Sequence, residues 1–139
     1  MKITRFEELY AWQRSRELFR MTQRLISQRP LSGNFPLKDQ MTRSSLSVMS
    51  NIAEGFDRGG NREFIHYLYL SKGSCSEFRS QLYAAVDSGN LGPEDFEAAF
   101  ALAEETSRII QGLIHALRKS ERKGRKFVPE GETPLNPEP

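Results

Sequence analysis

The sequence predicts an all-α fold, an antiparallel up-down-up-down four-helix bundle, on three observations. Apolar residues recur at spacings of three and four along four long stretches, the period of a helix with one buried face rather than the alternation of a strand. Clusters of proline, glycine and asparagine punctuate the stretches. The links are short, and a short link only lets the next helix return beside the last. At 139 residues the chain can bury a single core without help from a metal or a disulfide.

Helix 1 is expected over about residues 5–28. Thr4 followed by Glu7 reads as a capping box, and Ala11, Leu18, Leu25 and Trp12, Phe19, Ile26 form adjacent apolar rows that Met21 widens. Residues 30–36, PLSGNFP, are a loop of turn formers. Helix 2, 37–56, carries Leu37, Met41, Val48, Ile52 and Phe56 on one side, and the two glycines of DRGGN stop it. Helix 3, 61–87, opens with Asn61 as its cap and places Phe64, Tyr67, Leu68, Ser71, Cys75, Phe78, Leu82 and Val86 on one stripe. Helix 4, 93–119, starts at Pro93 with Glu94 and Asp95 beside its positive end, and points Phe96, Phe100, Ala103, Ile110, Leu113 and Leu117 inward. Residues 121–139, rich in Pro, Gly and Glu after a basic run, are expected to form a disordered tail.

Composition narrows the function classes. A hydrophobic fraction of 37% gives no stretch near the ~18 to 20 apolar residues of a membrane span. MKITRFEELY lacks the apolar region of a secretory signal, so a cytoplasmic protein with no membrane partner is expected. Cys75 is the single cysteine and reads as a small core residue. A net charge of +2 permits a nucleic-acid partner without demanding one.

Second helical rows are harder to account for. Opposite Ile52, helix 2 carries Gln40, Arg43, Ser47, Ser50, Asn51 and Glu54; opposite Phe64, helix 3 carries His66, Gly73, Glu77, Ser80 and Ala84. Glycine inside a helix costs about 1 kcal/mol relative to alanine, and the core stripe gives no reason for Gly73. Such faces fit either a solvated surface or the close approach of a second copy of the chain. Trp12, at the edge of a wide apolar band, is an anchor either for a neighbouring subunit or for its own core.

The residues of known catalytic chemistry are missing. Glu63 and His66 form E-x-x-H, but His66 projects away from the core stripe and has no second pair, so no metal or cofactor is expected. There is no phosphate-cradling glycine loop and no nucleophile elbow. A non-enzymatic protein is the expectation. Two basic groups are candidate nucleic-acid contacts: Arg16, Arg20 and Arg24, one row on the outer face of helix 1, and Arg118, Lys119, Arg122 and Lys123 at the end of helix 4.

The run from Gln40 to Phe78 resembles the signature of the four helix bundle protein family, the 23S rRNA-intervening sequence proteins. The matching positions are Gln40, Arg43, Ser47, Asn51, Ile52, Ala53, Glu54, Gly55, Arg58, Glu63, Phe64, Leu68, Gly73, Ser74 and Glu77, and FEELYAWQ resembles the family's first helix. The resemblance implies a homopentamer of barrel-shaped bundles. Related accessory variability determinant proteins of diversity-generating retroelements use a positive surface to bind nucleic acid and a reverse transcriptase; this chain is less basic than those. The combined expectation is a self-associating protein that contacts RNA or DNA. The alternative is a protein-binding scaffold without nucleic-acid affinity, its partner a reverse transcriptase or another protein.

Overall fold

The computed structural model describes residues 2–122 and 135–137, with only the backbone for residues 121 and 122. Four helices form it: α1 (Tyr10–Ile26), α2 (Phe35–Asp57), α3 (Asn61–Asp87) and α4 (Pro93–Arg122), with 3-10 turns at Phe6–Glu8 and Leu31–Gly33. No strand occurs among the described residues. α1 packs on α2, α2 on α3, α3 on α4, and α4 back on α1, so the four enclose one core. None of the described helices is long and apolar enough to cross a membrane.

The inner stripes supply that core. Leu18, Met41, Val48, Ile52, Phe64, Leu68, Phe78, Leu82, Ile110 and Leu117 are fully buried, and Cys75 lies among them. One expected core residue, Val86, is instead 39% exposed. The buried stripe continues through its neighbour Ala85, fully buried in the same turn, and Val86 lies off that line.

Several boundaries differ from expectation for local reasons. Glu8, not Glu7, gathers the N-terminal donors: its Oε1 accepts the Thr4 N–H at 2.9 Å, the Arg5 N–H at 3.0 Å and the Thr4 hydroxyl at 3.2 Å. The chain then makes a 3-10 turn and buries Leu9 completely before α1 begins at Tyr10. α2 starts earlier than expected, because Asn34 caps it by accepting the Leu37 N–H at 3.3 Å and Pro36 fits in the first turn, where no backbone donor is needed. The cap position of α3 belongs to extended Gly60, so Asn61 is a buried first-turn residue. Gly59, at φ 91°, makes the reversal before it.

α3 ends as its glycine predicts. Gly89 takes φ 74°, its N–H bonds the Val86 carbonyl at 3.0 Å, and the Asn90 N–H reaches back to the Ala85 carbonyl at 2.8 Å. These two bonds are the Schellman closure, satisfying carbonyls that the last turn orphans. α4 runs past the expected end at 119 to Arg122. Most of the expected tail, residues 123–134 and 138–139, lies outside the described residues. Within it Leu135 is buried against the core and Asn136 hydrogen-bonds the start of α1, so these positions have a defined place.

Candidate functional site

The seam between α2 and α3 is built from small residues. Gly55 sets its closeness: a Cβ added there would stand 2.6 Å from the Tyr67 Cβ and 3.1 Å from a Phe64 ring carbon. Further along, the Ser71 hydroxyl donates to the Val48 carbonyl at 2.6 Å, Ser74 donates to Ser47 at 2.9 Å, and Ser44 donates to Gln81 at 2.6 Å. As residue number falls along α2, the partner number rises along α3. Asn51 adds bonds from Nδ2 to the Ser47 carbonyl and hydroxyl, both 2.9 Å.

Ser47 and Asn51 are therefore half-buried seam residues, not part of a solvent face opposite Ile52. A serine reads as polar by type, and only the approach of α3 gives it a partner. The closed end of the same hairpin carries Arg58, 3.8 Å from both Glu54 and Glu63, with its guanidinium 5.3 Å from the Tyr67 ring centre. Four of the motif positions, Ser47, Gly55, Arg58 and Glu63, thus meet between α2 and α3 within one chain, while Asn51 and Glu54 bond along α2 itself.

Of the other motif positions, Ile52, Phe64 and Leu68 lie in the core and Ser74 in the seam, while four point outward. Gln40, Arg43, Gly73 and Glu77 are exposed, and Arg43 pairs with Asp39 at 3.0 Å. Nothing stands within 4 Å of a Cβ added at Gly73, so no contact inside the chain asks for glycine there. Around it Leu46 is 44% and Leu70 45% exposed on the outward sides of α2 and α3.

The arginine row of α1 is exposed as its spacing predicts. Arg20 lies two residues beyond buried Leu18, a turn of about 200°, which puts it on the far side of the helix from the core. The Arg16 guanidinium stands 5.6 Å from the Trp12 ring centre. Trp12 itself is partly buried, packing edge-on against Phe6 at 5.3 Å and against its own core. Arg20 and Arg24 have no ion pair or side-chain hydrogen bond among the described residues. Other arginines are engaged: Arg5 with Glu7 at 2.8 Å, and Arg14 with Glu17 and Glu105.

The second basic group does not join the first. Arg118 leans over Tyr69 of α3, 5.2 Å from the ring centre, whereas α1 packs on α2 and α4. Lys119 is exposed beside it; the Arg122 side chain and Lys123 lie outside the described residues.

Other chemistry has little to work with. Burial pushes the Cys75 thiol up to about 12, so its nucleophilic thiolate is scarce near neutral pH. His66 is exposed and sits edge-on to Tyr67 at 5.6 Å. Among the described residues no group of three His, Cys, Asp or Glu side chains could hold a metal ion. A cleft of about 200 Å³ lies between the loops at one end of the bundle, lined by Arg29, Pro30, Asn90, Leu91 and Asp95 among others.

Comparison with known proteins agrees with the motif. No curated protein shows significant similarity to the sequence. The profile of the 23S rRNA-intervening sequence proteins, however, matches residues 7–112, a span that takes in α1, α2, α3, most of α4 and every motif residue placed above. By that match the chain belongs to the 23S rRNA-intervening sequence protein family.

Proposed function

We propose that this protein is a non-enzymatic, self-associating binding protein that contacts the phosphate backbone of RNA, or of another nucleic acid, through the outer face of α1. The observation that carries the reading is the state of Arg16, Arg20 and Arg24: exposed, on one row opposite the core, the last two without an acidic partner among the described residues. Residues four apart on a helix rise about 6 Å per step, so the row offers three positive charges at regular intervals along a line. Arginine suits phosphate because its planar fork donates two parallel hydrogen bonds. The row carries no group that would read a base, so the reading is of affinity for backbone and shape, not sequence.

The descending pairs along α2 and α3 support the antiparallel, up-down-up-down arrangement that leaves α1 with a free outer face. Self-association is supported by Gly73 and the exposed Leu46 and Leu70 beside it. The count of five copies, as a ring, comes from the family resemblance. Several α1 faces in one assembly would engage a long polyanion together, raising avidity without new contacts.

Mobility shifts with a structured RNA at low salt test the reading, since phosphate contacts release counterions and are strongest there. Binding is expected, with affinity falling steeply as salt rises. The double variant Arg20→Ser, Arg24→Ser should weaken it for every sequence tried and lower the salt slope by about two. No binding at low salt, or binding indifferent to salt, removes the proposal; recovery of a protein partner at high salt would favour a scaffold.

A further inference from the structure

α1 has no capping side chain of its own. Leu9 occupies its cap position, and an apolar side chain cannot accept the N–H groups that a first helical turn leaves unpaired. The acceptor comes from residue 136. Asn136 Oδ1 accepts the Tyr10 N–H at 2.7 Å, while its Nδ2 donates to the Glu8 carbonyl at 2.9 Å. One amide side chain thus meets a donor and an acceptor on either side of Leu9, a match that an ionised aspartate, which has no donor, could not reproduce.

Its neighbours are seated as specifically. Leu135 is only 8% exposed and belongs to the core cluster. The Pro137 ring lies 3.5 Å from where a Cβ of Gly112 in α4 would be, an ordinary van der Waals distance, so the ring rests against the helix at this position. Three consecutive residues therefore make three different contacts: an apolar recess, a backbone donor–acceptor pair, and the surface of α4 at Gly112.

The connection does not force this placement. Residues 123–134 reach up to about 40 Å when extended. The return from Arg122 to the level of Gly112 is about 15 Å along the helix axis. Chain length alone therefore does not fix where residues 135–137 rest. We propose that the notch between the start of α1 and Gly112 of α4 is a peptide-recognition site for a Leu-Asn-Pro segment, filled by residues 135–137 of the same chain. Tethering supplies that segment at an effective concentration of roughly millimolar, so it excludes a free peptide unless its own contacts are broken.

A fluorescent peptide of residues 133–139 tests the site by anisotropy against the full-length protein and full-length Leu135→Asp, Asn136→Ala, whose own segment has lost its contacts. The peptide should bind the double variant at least tenfold more tightly than the unaltered protein. Asn→Ala in the peptide should cost at least tenfold, and Gly112→Leu added to the double variant should abolish binding. Amide exchange at Tyr10 supplies an independent readout: protection should fall in Asn136→Ala with helicity retained. Failure of the peptide to bind the double variant overturns the proposal, as does unchanged Tyr10 protection. Loss of that protection on dilution of the unaltered protein would give the segment to a neighbouring copy and overturn the same-chain assignment.

Discussion

Gly55 and Gly73 are both helical glycines of the family motif, yet their surroundings differ. At Gly55 a methyl group would meet the Tyr67 Cβ at 2.6 Å. That atom is fixed to the α3 backbone, so the collision cannot be relieved by rotating a side chain and the helices must separate. Separation would strain the Ser74 to Ser47 and Ser71 to Val48 bonds that share the seam. Overpacking of this kind costs about 1 to 3 kcal/mol. Alanine's better helix propensity offsets about 1 kcal/mol of it. Gly55→Ala is therefore expected to destabilise the fold by up to about 2 kcal/mol, seen as a lower urea midpoint with an unchanged slope. A midpoint at or above that of the unaltered protein would mean that the seam yields freely. The sequence showed a glycine at this position, but not its reason, because Tyr67 lies twelve residues away on another helix.

Elements were legible to the extent that their signals are local. α3 and α4 start where expected because Gly59, Gly60 and Pro93 act on the backbone beside them, and α3 closes on Gly89 by a bond pattern that needs no distant partner. The start of α1 was not legible. Thr4 and Glu7 satisfy the capping pattern, but the donors converge on Glu8, and the acceptor for Tyr10 comes from Asn136, which no local pattern could supply. Ser71 stands on the expected stripe, but Ser15 and Thr22 do not, for a related reason: they look polar, yet each returns its hydroxyl to the carbonyl four residues back, at 2.6 and 2.8 Å, and so can lie in the core. The N-terminal turn makes a pH prediction. The Thr4 and Arg5 backbone donors hold the Glu8 carboxyl below its ordinary value of 4.5. A carboxyl depressed in the folded state binds its proton more readily when unfolded, so its contribution is full above about 4.5 and disappears as pH falls through the lower native value. Amide exchange at Thr4 and Arg5 should accelerate, relative to the intrinsic rate, over that acid range and not above it. Glu8→Gln should abolish the pH dependence; its persistence would place the titrating group elsewhere.

At the scale of the whole molecule, the outer faces divide into those the chain uses itself and those it leaves open. The arginine row could be read from spacing alone, because four-residue intervals on a helix fix a face whatever the neighbours do. The rows on α2 and α3 could not, since Ser47 turns out to bond Ser74 across the hairpin and Asn51 to bond back to Ser47. What stays unexplained within one chain is smaller and better defined: Gly73 with open space around it, and Leu46 and Leu70 about half exposed nearby. Isolated exposed leucines are ordinary, but a helix-interior glycine beside them gives a flat, apolar strip that another helix could approach closely. A leucine at position 73 meets no obstacle in the single chain, so Gly73→Leu should retain full helicity by circular dichroism and lose nothing in urea stability beyond any loss of association. If copies pack through this strip, the added side chain holds them apart, and light scattering should report a smaller mass for the variant than for the unaltered protein at equal concentration. Leu70→Glu should act in the same direction through desolvation of a charge, reaching the same smaller mass by different chemistry. A folded Gly73→Leu protein whose mass is unchanged would show that self-association, if measured, runs through a different face.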